Sequence, residues 1–574
     1  QVWLRLLLIA PPRIESLAMP ADRRGFRNQL QTQRIDEGDD ASGAGEPTKG
    51  KGKSKGKGHG KGKASTNGAS SADSPNHEPP PPPVWLQLDG VPFALLPCEA
   101  PLADALRKLV TANSAAERDT AMMAALRDHP FIEVKGPQGG RAPFDFGAKL
   151  GNCIEEHFRM DVRGFQRWLR TEEGRPFLKQ AGGPSDDGLY TVSAVLRRCM
   201  SRGLSCFTFS AAPGEEVVVR GFRKFTGLTA DDEDEESGAT NMYEDFYYTS
   251  NASAAHFAVT TKSNGENGKF SVRRVNGELL FFAGSKNTCL AWRESDDVTQ
   301  LHPAVDASIP GPSIAAAMQR FWKGWTQGER DEFAAKAASE SWTLMLESNC
   351  SNHEHVFPIP KDFVEFVAIL DREGLPVPQK QAFAFFDSFG LPRVRCDEGI
   401  PMADLGKRLA EERCAVDREG AVLYLEAADG SPIGLLKVKS NFYVRARRTR
   451  MTFWGAVVDP LLRGDDLDVI DDELAPKGSS KGKRPSRKSR GGVGWSEAER
   501  RLRNGMKDLK HVEGCVDNWE EWAEVAVGFI QWWRLKFNRA TEEEKKQVIK
   551  DAKARFGSTY RDYCRDAKIP GGEN

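Results

Sequence analysis

The chain has 574 residues, with 81 Lys and Arg against 82 Asp and Glu. A single hydrophobic core rarely grows beyond about 250 residues, so this length indicates several domains. The net charge of −1 excludes a uniformly basic protein, although Lys and Arg concentrate at 49–63 and 477–490 and acidic residues at 231–236. Two basic arms around a nearly neutral body are typical of a chain that binds a polyanion, and also of solubilising tails.

Cysteine spacing and apolar runs limit the compartment and the metal chemistry. The ten cysteines are scattered without a CxxC pair, which excludes the usual spacing of a four-ligand zinc site. We therefore expect reduced thiols in an intracellular protein, nuclear or cytoplasmic. Residues 2–10 are apolar but too short for a bilayer, and Arg5 interrupts them, so organelle or secretory targeting stays open. No other run has the length of a transmembrane helix, and we expect no membrane partner.

The N-terminal part of the chain divides into an arm and a module. Residues 1–83 carry a Lys-Gly tract and end in five prolines at 79–83. Such a composition cannot bury a core and predicts a disordered basic arm. Residues 84–204 have a globular composition, with amphipathic spacing at 102–110 and 164–169. This spacing predicts helices, and the segment is expected to form an α-rich module.

Residues 205–455 predict an α+β domain of antiparallel sheets with flanking helices. Runs of strand length and composition lie at 217–219, 256–261, 269–275, 278–283, 421–426 and 433–439. The pairs Asn276-Gly277 and Asp429-Gly430 suit the positive φ of tight hairpin turns. Helical segments are expected at about 313–340, 361–372 and 403–413.

The C-terminal part is expected to be a linker followed by helices. Residues 456–494 are acidic and then basic, and 495–574 predict a helical domain. Apolar residues recur there at steps of three and four: Trp519, Trp522, Ala526, Phe529, Ile530, Trp533 and Phe537. This stripe makes one apolar helix face, and we favour a packed core over a surface on which bases stack.

The candidate chemistry centres on Lys262, which ends a predicted strand and enters the loop Ser263-Asn264-Gly265-Glu266. A lysine there points from a strand edge into a cleft, and Gly265 has no side chain to block a nucleotide sugar. Alone, the pattern favours a plain hairpin turn over a catalytic site. Other motifs accompany it in order along the chain, however. Upstream lies Arg220-Gly221-Phe222-Arg223-Lys224-Phe225, and downstream lie Ser285-Lys286, Glu347, Glu419 and Lys437-Val438-Lys439.

This order of motifs resembles the covalent nucleotidyltransferases, in particular the phage-type RNA ligases and the ligase domain of fungal and plant tRNA ligases. The resemblance covers about 205–450. It implies a nucleotidyltransferase (ATP-grasp-like ligase) core with a C-terminal helical domain. It further implies an ATP-dependent RNA ligase for RNA repair or tRNA splicing, which forms a lysyl-AMP intermediate, passes AMP to an RNA 5′-phosphate and seals that end to a 3′-hydroxyl.

The resemblance also implies roles for individual residues. Lys262 is the nucleophile, and Lys437 and Lys439 are catalytic cations on one side of a strand. The residues expected to bind ATP are Arg220, Lys224, Gly265, Ser285, Lys286 and Glu347. Glu419 is expected to help bind Mg²⁺, with Mn²⁺ as an alternative. Because an amine attacks phosphorus only when unprotonated, we expect the two strand lysines and the metal to lower the pKa of Lys262 below the usual ~10.4.

Departures from the family pattern leave other functions open. Asn264 stands where many ligases carry aspartate, although the tRNA-ligase branch resembles this chain in carrying asparagine at this position. The sequence has no GxxxxGK[ST] loop and no pair of H-x-[ST] motifs. The chain is therefore expected to seal RNA ends that a separate end-healing kinase or phosphodiesterase prepares. The alternatives are a DNA ligase, a capping-type nucleotidyltransferase, or a catalytically idle RNA-binding protein with a ligase fold.

Overall fold

A computed structural model describes the following residues: 85–88, 91–136, 144–227, 243–249, 254–301, 310–468, 494–507, 509 and 518–569. The predicted arm, the acidic insert and most of the predicted linker lie outside these ranges. Within them, no helix combines the length and the apolar composition needed to cross a bilayer. The nine cysteines in these ranges are all free thiols.

The first folded region combines helices with a sheet. Its strands are β1 (Trp85–Leu88), β2 (Val91–Ala94), β3 (Ile132–Lys135), β4 (Phe144–Asp145), β5 (Asn152–Met160), β6 (Ser205–Phe209) and β7 (Val217–Val219). Its helices are α1 (Ala103–Thr111), α2 (Ala115–Arg127), α3 (Val162–Trp168), α4 (Leu178–Ala181), α5 (Asp186–Val192) and α6 (Ala194–Cys199). The antiparallel sheet runs β3-β5-β6-β7, with β4 beside β5. The helices α1 and α3 confirm two predictions, while the sheet continues past residue 204, where we expected the module to end.

Two five-stranded sheets form the centre of the fold. Their strands are β8 (Thr226–Gly227), β9 (His256–Thr261), β10 (Glu266–Val275), β11 (Glu278–Ser285), β12 (Cys289–Arg293), β13 (Thr343–Asn349), β14 (Phe363–Leu370), β15 (Cys396–Pro401), β16 (Gly420–Glu426) and β17 (Pro432–Lys439). One sheet has the order β12-β11-β10-β13-β14 and the other β15-β9-β16-β17-β8. All pairs are antiparallel except β17 with β8. The α+β class is confirmed. Five of the six predicted strands lie in these two sheets, and the sixth, 217–219, is β7 of the first region.

Helices flank these sheets. They are α7 (Val298–Leu301), α8 (Pro310–Gly324), α9 (Gln327–Ser339), α10 (Gln379–Ser388), α11 (Leu405–Cys414), α12 (Asn441–Phe453) and α13 (Asp459–Leu462). The predicted helix 313–340 is two helices because Thr326 starts a new one, capping it through a reciprocal pair of hydrogen bonds with Glu329. Asn276 and Gly277 have φ values of 47° and 78°, so the predicted tight turn between β10 and β11 is confirmed.

The predicted helix at 361–372 was wrong, since Phe363–Leu370 is the edge strand β14. It pairs with β13 along its whole length. The stretch from Phe366 to Leu370 is buried on both faces, and a continuous apolar run of this kind shows no period that separates a strand from a helix. Its β-branched and aromatic content, rather than its period, was the usable signal.

The C-terminal helical domain contains α14 (Trp495–Lys507), α15 (Trp519–Arg539), α16 (Glu542–Ala554) and α17 (Phe556–Asp566). The centre of the apolar stripe of α15 is buried, with Phe529 and Ile530 at 0% exposure and Trp533 at 1%. Its two ends, at Trp519, Trp522 and Phe537, are half-buried. This confirms the core interpretation of the stripe. The same core includes Phe442 and Phe453 of α12, so the helical packing begins at about residue 441 rather than at 495.

Candidate active site

A central cavity of about 360 Å³ lies where the two five-stranded sheets meet. The ends of β9, β13, β16 and β17, the start of β10 and one face of α12 all contribute to its wall. Nine Lys or Arg and three Glu line it. A volume above about 300 Å³ suits a small-molecule ligand, and this excess of positive charge favours an anionic one.

Lys262 enters the central cavity directly after β9. Its backbone N–H donates to the carbonyl oxygen of Gly420 at 2.9 Å, which fixes the strand end against β16. Its Nζ lies 2.8 Å from Oε1 of Glu419. Burial lowers the pKa of Lys262, but the charges of Glu419 and Glu347 outweigh it and raise the pKa above its usual value. This is opposite to the direction expected from the sequence, because carboxylates rather than lysines dominate the surroundings of the amine.

Glu347 and Glu419 give the cavity a carboxylate pair suited to a hard dication. Glu347 lies on β13, opposite Asn267 of β10. Its Oε2 is shielded from solvent and has no hydrogen-bond partner among the described residues. Burial, reinforced by the nearby Glu419 charge, raises the pKa of Glu347 to about 8. An unsatisfied buried carboxylate oxygen is costly, and Mg²⁺, which prefers oxygen ligands, fits this position.

Lys437 and Lys439 both line the central cavity. They lie two residues apart on β17, opposite Val422 and Gly420 of β16. Residues at i and i+2 of a strand share a face, so the structure brings these two predicted cations together with Lys262. Lys439 is 4% exposed, which keeps its charge in a region of low dielectric where it acts strongly on a bound anion.

Two further cations of the cavity are positioned by the N-terminal region. The Nζ of Lys224 lies 2.6 Å from Oδ1 of Asp187, and the Nζ of Lys286 lies 3.0 Å from Oδ2 of Asp186. Both aspartates belong to the first turn of α5. The sequence predicted that both lysines contact ATP, and the structure places both on the cavity wall.

Three other predicted residues have different surroundings. Arg220 is absent from the cavity wall and forms an ion pair of 2.5 Å with Asp119 of α2. Ser285 is buried at the end of β11 and also lies off the wall. Gly265 lines the cavity, but a Cβ there would meet the carbonyl oxygen of Ser348 at 2.7 Å. Close approach to β13, rather than to a sugar, is therefore the visible reason for this glycine.

Sequence reasoning missed several wall residues on α12. Tyr443, Arg447 and Arg450 of this helix all line the cavity. Burial and the Glu419 charge raise the pKa of Tyr443 above its usual value, so the phenol stays protonated. The available signal was the spacing of three between Arg447 and Arg450, which puts both on one helix face directly after the paired strand lysines.

Comparisons with known proteins give the following findings. No protein-family model matches the chain, and no curated protein matches it. Two solved structures of an archaeal ATP-dependent RNA ligase are similar to parts of it. Form 1 has 13% identity and a TM-score of 0.30, covering 60% of this chain and 75% of that one. Form 2 has 15% identity and a TM-score of 0.31, covering 69% of this chain and 90% of that one.

Proposed function

We propose that the protein is an ATP-dependent RNA ligase that works through a lysyl-AMP intermediate on Lys262. The observation that carries the proposal is the position of Lys262, which is ion-paired to Glu419 in a cavity that Lys437 and Lys439 also line. A solvated hairpin lysine would need neither the buried carboxylate nor the cationic wall. The order of sequence motifs that resembles the covalent nucleotidyltransferases supports the same assignment.

In the first step, Nζ of Lys262 forms a bond to the α-phosphorus of ATP. The bond between that phosphorus and the bridging oxygen breaks, and pyrophosphate leaves with the electron pair. The amine must first release a proton to water, since its ammonium form is not a nucleophile. Lys437 and Lys439 are placed to stabilise the charge that develops on the phosphoryl oxygens, the main source of acceleration in phosphoryl transfer.

The proposed scheme includes a metal ion. Glu347 and Glu419 would hold Mg²⁺, or Mn²⁺ in its place, and the ion would neutralise phosphate charge. Glu419, and Glu347 once it is ionised, also stabilise the Lys262 ammonium. Carboxylates engaged by a dication no longer stabilise the ammonium as strongly, so the pKa of Lys262 is expected to fall in the loaded site.

The later steps define the RNA substrate. An oxygen of the RNA 5′-phosphate attacks the α-phosphorus and releases Lys262, and a 3′-hydroxyl then attacks the activated end and displaces AMP. Arg447 and Arg450 extend the cationic wall along α12 and are placed to contact RNA phosphates. The substrate thus carries a 5′-phosphate and a 3′-hydroxyl, as in RNA repair or tRNA splicing in the nucleus or cytoplasm, and a separate end-healing enzyme prepares it.

The test is covalent labelling. Purified protein is incubated with Mg²⁺ and α-labelled ATP, denatured, and examined for label retained on the chain. We expect label on the wild type and on Lys380→Ala, an exposed control on α10, and none on Lys262→Ala. Lys262→Arg is the matched control for folding, since it keeps the positive charge beside Glu419 but removes the amine nucleophile. It is also expected to remain unlabelled.

The remaining outcomes separate the alternatives. Label from GTP alone would move the assignment to capping chemistry. Sealing of nicked DNA, but not of RNA, by the labelled protein would identify a DNA ligase. No label from either nucleotide, together with retained RNA binding, would identify a catalytically idle RNA-binding protein.

A further inference from the structure

Two imidazoles and a carboxylate converge beside the central cavity. Glu266 begins β10, whereas His353 and His355 lie on the loop between β13 and β14, here named the His loop (residues 350–362). The Nε2 atoms of His355 and His353 lie 3.2 Å and 3.5 Å from Oε1 of Glu266. One potential ligand atom from each of the three residues lies within 4.8 Å of the other two.

These separations agree with the geometry of a bound metal ion. Metal–nitrogen and metal–oxygen bonds at zinc sites are about 2.0–2.2 Å long, so neighbouring ligand atoms of a tetrahedral site lie about 3.4 Å apart. The two distances between Glu266 and the histidines bracket that value. A cation would therefore replace two hydrogen-bond-length contacts with coordinate bonds after only a small adjustment of the side chains.

The His loop is held by the residue between the two histidines. Glu354 is 1% exposed and accepts hydrogen bonds from the backbone N–H and the Oγ of Ser558 at 2.7 and 2.8 Å. Its carboxylate also accepts from the N–H of Ile359 at 3.1 Å, and its own N–H donates to the carbonyl oxygen of Ala554 at 2.8 Å. These bonds anchor the loop to the C-terminal helical domain. Glu354 is a positioning residue, because it holds in place the loop that carries both histidines.

The three side chains also leave room for additional ligands. They are 43% (Glu266), 57% (His353) and 22% (His355) exposed, and Glu266 and His355 line the central cavity. Three protein ligands with open positions are typical of a site that also coordinates water or an exchangeable ligand. Imidazole nitrogens select transition-metal dications, whereas Mg²⁺ prefers oxygen ligands alone.

We propose that Glu266, His353 and His355 form a binding site for a first-row transition-metal dication such as Zn²⁺ or Co²⁺. It is distinct from the carboxylate pair of Glu347 and Glu419, whose oxygen ligands suit Mg²⁺. The proposal does not rest on the ligase function, because it requires neither ATP nor RNA. Its position on the cavity wall brings a second positive centre to the site where an anionic ligand would bind.

The test is metal binding to the full-length, metal-free protein without nucleotide. Co²⁺ is titrated and its visible absorption recorded, and Zn²⁺ binding is measured by calorimetry, both in excess Mg²⁺. We expect the double variant His353→Ala/His355→Ala to bind one equivalent less than the wild type, and each single variant to bind that equivalent at least tenfold more weakly. His256→Ala is the matched control, because His256 also lies 3.4 Å from a glutamate, Glu426, and is expected to bind like the wild type.

Two results would overturn the proposal. One is equal stoichiometry and affinity in the wild type and the double variant, which would place the ion elsewhere in the chain. The other is complete displacement of Co²⁺ by millimolar Mg²⁺, which would contradict a site selected by imidazole. Circular dichroism and Tm of each variant, compared with the wild type, separate lost binding from lost folding. Neither result depends on whether Lys262 accepts AMP.

Discussion

Replacing Glu347 with glutamine is expected to abolish a loss of stability at alkaline pH. The pKa of Glu347 is raised from 4.5 to about 8, mainly by burial. Because the pKa in the folded protein lies above that in the unfolded chain, folding retains a proton that the unfolded chain releases between these values. The resulting stabilisation is complete below about pH 4.5 and is lost as the pH rises through about 8.

The magnitude follows from these two pKa values. Between about pH 6.5 and about pH 9, ionisation of this one group lowers the free energy of unfolding by about 2 kcal/mol. In a cooperative unit of about 200 residues, that change lowers Tm by roughly 4–8 °C. Glutamine has nearly the same shape and never ionises, so Glu347→Gln lacks this contribution at every pH.

The assay is thermal unfolding followed by circular dichroism at both pH values. The wild type is compared with Glu347→Gln and with Glu340→Gln, an exposed control at the end of α9. We expect Tm of the wild type and of the control to fall more than that of Glu347→Gln by roughly this amount. Equal pH dependence in the three proteins would refute the reasoning, since the burial of Glu347 would then have no energetic consequence.

Three further predictions follow from other contacts. Glu419→Gln is expected to lower the pKa of Lys262 by about 1–2 units, the worth of one charge-assisted hydrogen bond. The pH profile of Lys262 acylation, followed by mass spectrometry, measures the shift, and an unchanged profile contradicts the ion pair. Gly265→Ala is expected to lower the free energy of unfolding by about 1–3 kcal/mol through its clash with β13. Gly328 has open space around it, so the control Gly328→Ala should not lower the free energy of unfolding. Equal Tm values for the two variants would count against the clash. Glu354→Ala is expected to lower the free energy of unfolding by about 2–4 kcal/mol, because it removes three hydrogen bonds. Faster limited proteolysis of α16 and α17 would show this loss, and an unchanged rate would exclude the anchoring role.

Local signals predicted much of the central fold. The strand 256–261 has the predicted bounds, and Asn276-Gly277 marked the β10–β11 turn because few other residues adopt positive φ at both positions. Strand β14 was missed because both of its faces are buried and its sequence has no alternation. The sheet that continues past residue 204 was missed because pairing between β5 and β6 joins residues about 50 positions apart, and such pairing leaves no local pattern.

The candidate site was only partly predictable, for reasons of the same kind. Motif order identified Lys262, Glu419 and the two strand lysines as companions, and the structure brings these four together. It gave no indication that Arg220 pairs with Asp119, because that contact joins the site's sequence motif to a helix about 100 residues earlier. The direction of the Lys262 pKa shift also depends on which charges lie nearest in space, and spacing along the chain does not report this.

Helix α12 has two partners at once. One face carries Tyr443, Arg447 and Arg450 into the central cavity, while Phe442 and Phe453 belong to the core of the C-terminal helical domain. A rigid helix shared in this way links occupancy of the cavity to docking of the C-terminal helices, and such linkage is reciprocal. An anion that binds to the arginine face would slow hydrogen exchange in α14 and α15. Loosening of those helices would weaken anion binding by the same factor. The C-terminal domain would then act as a sensor of cavity occupancy as well as a support for it.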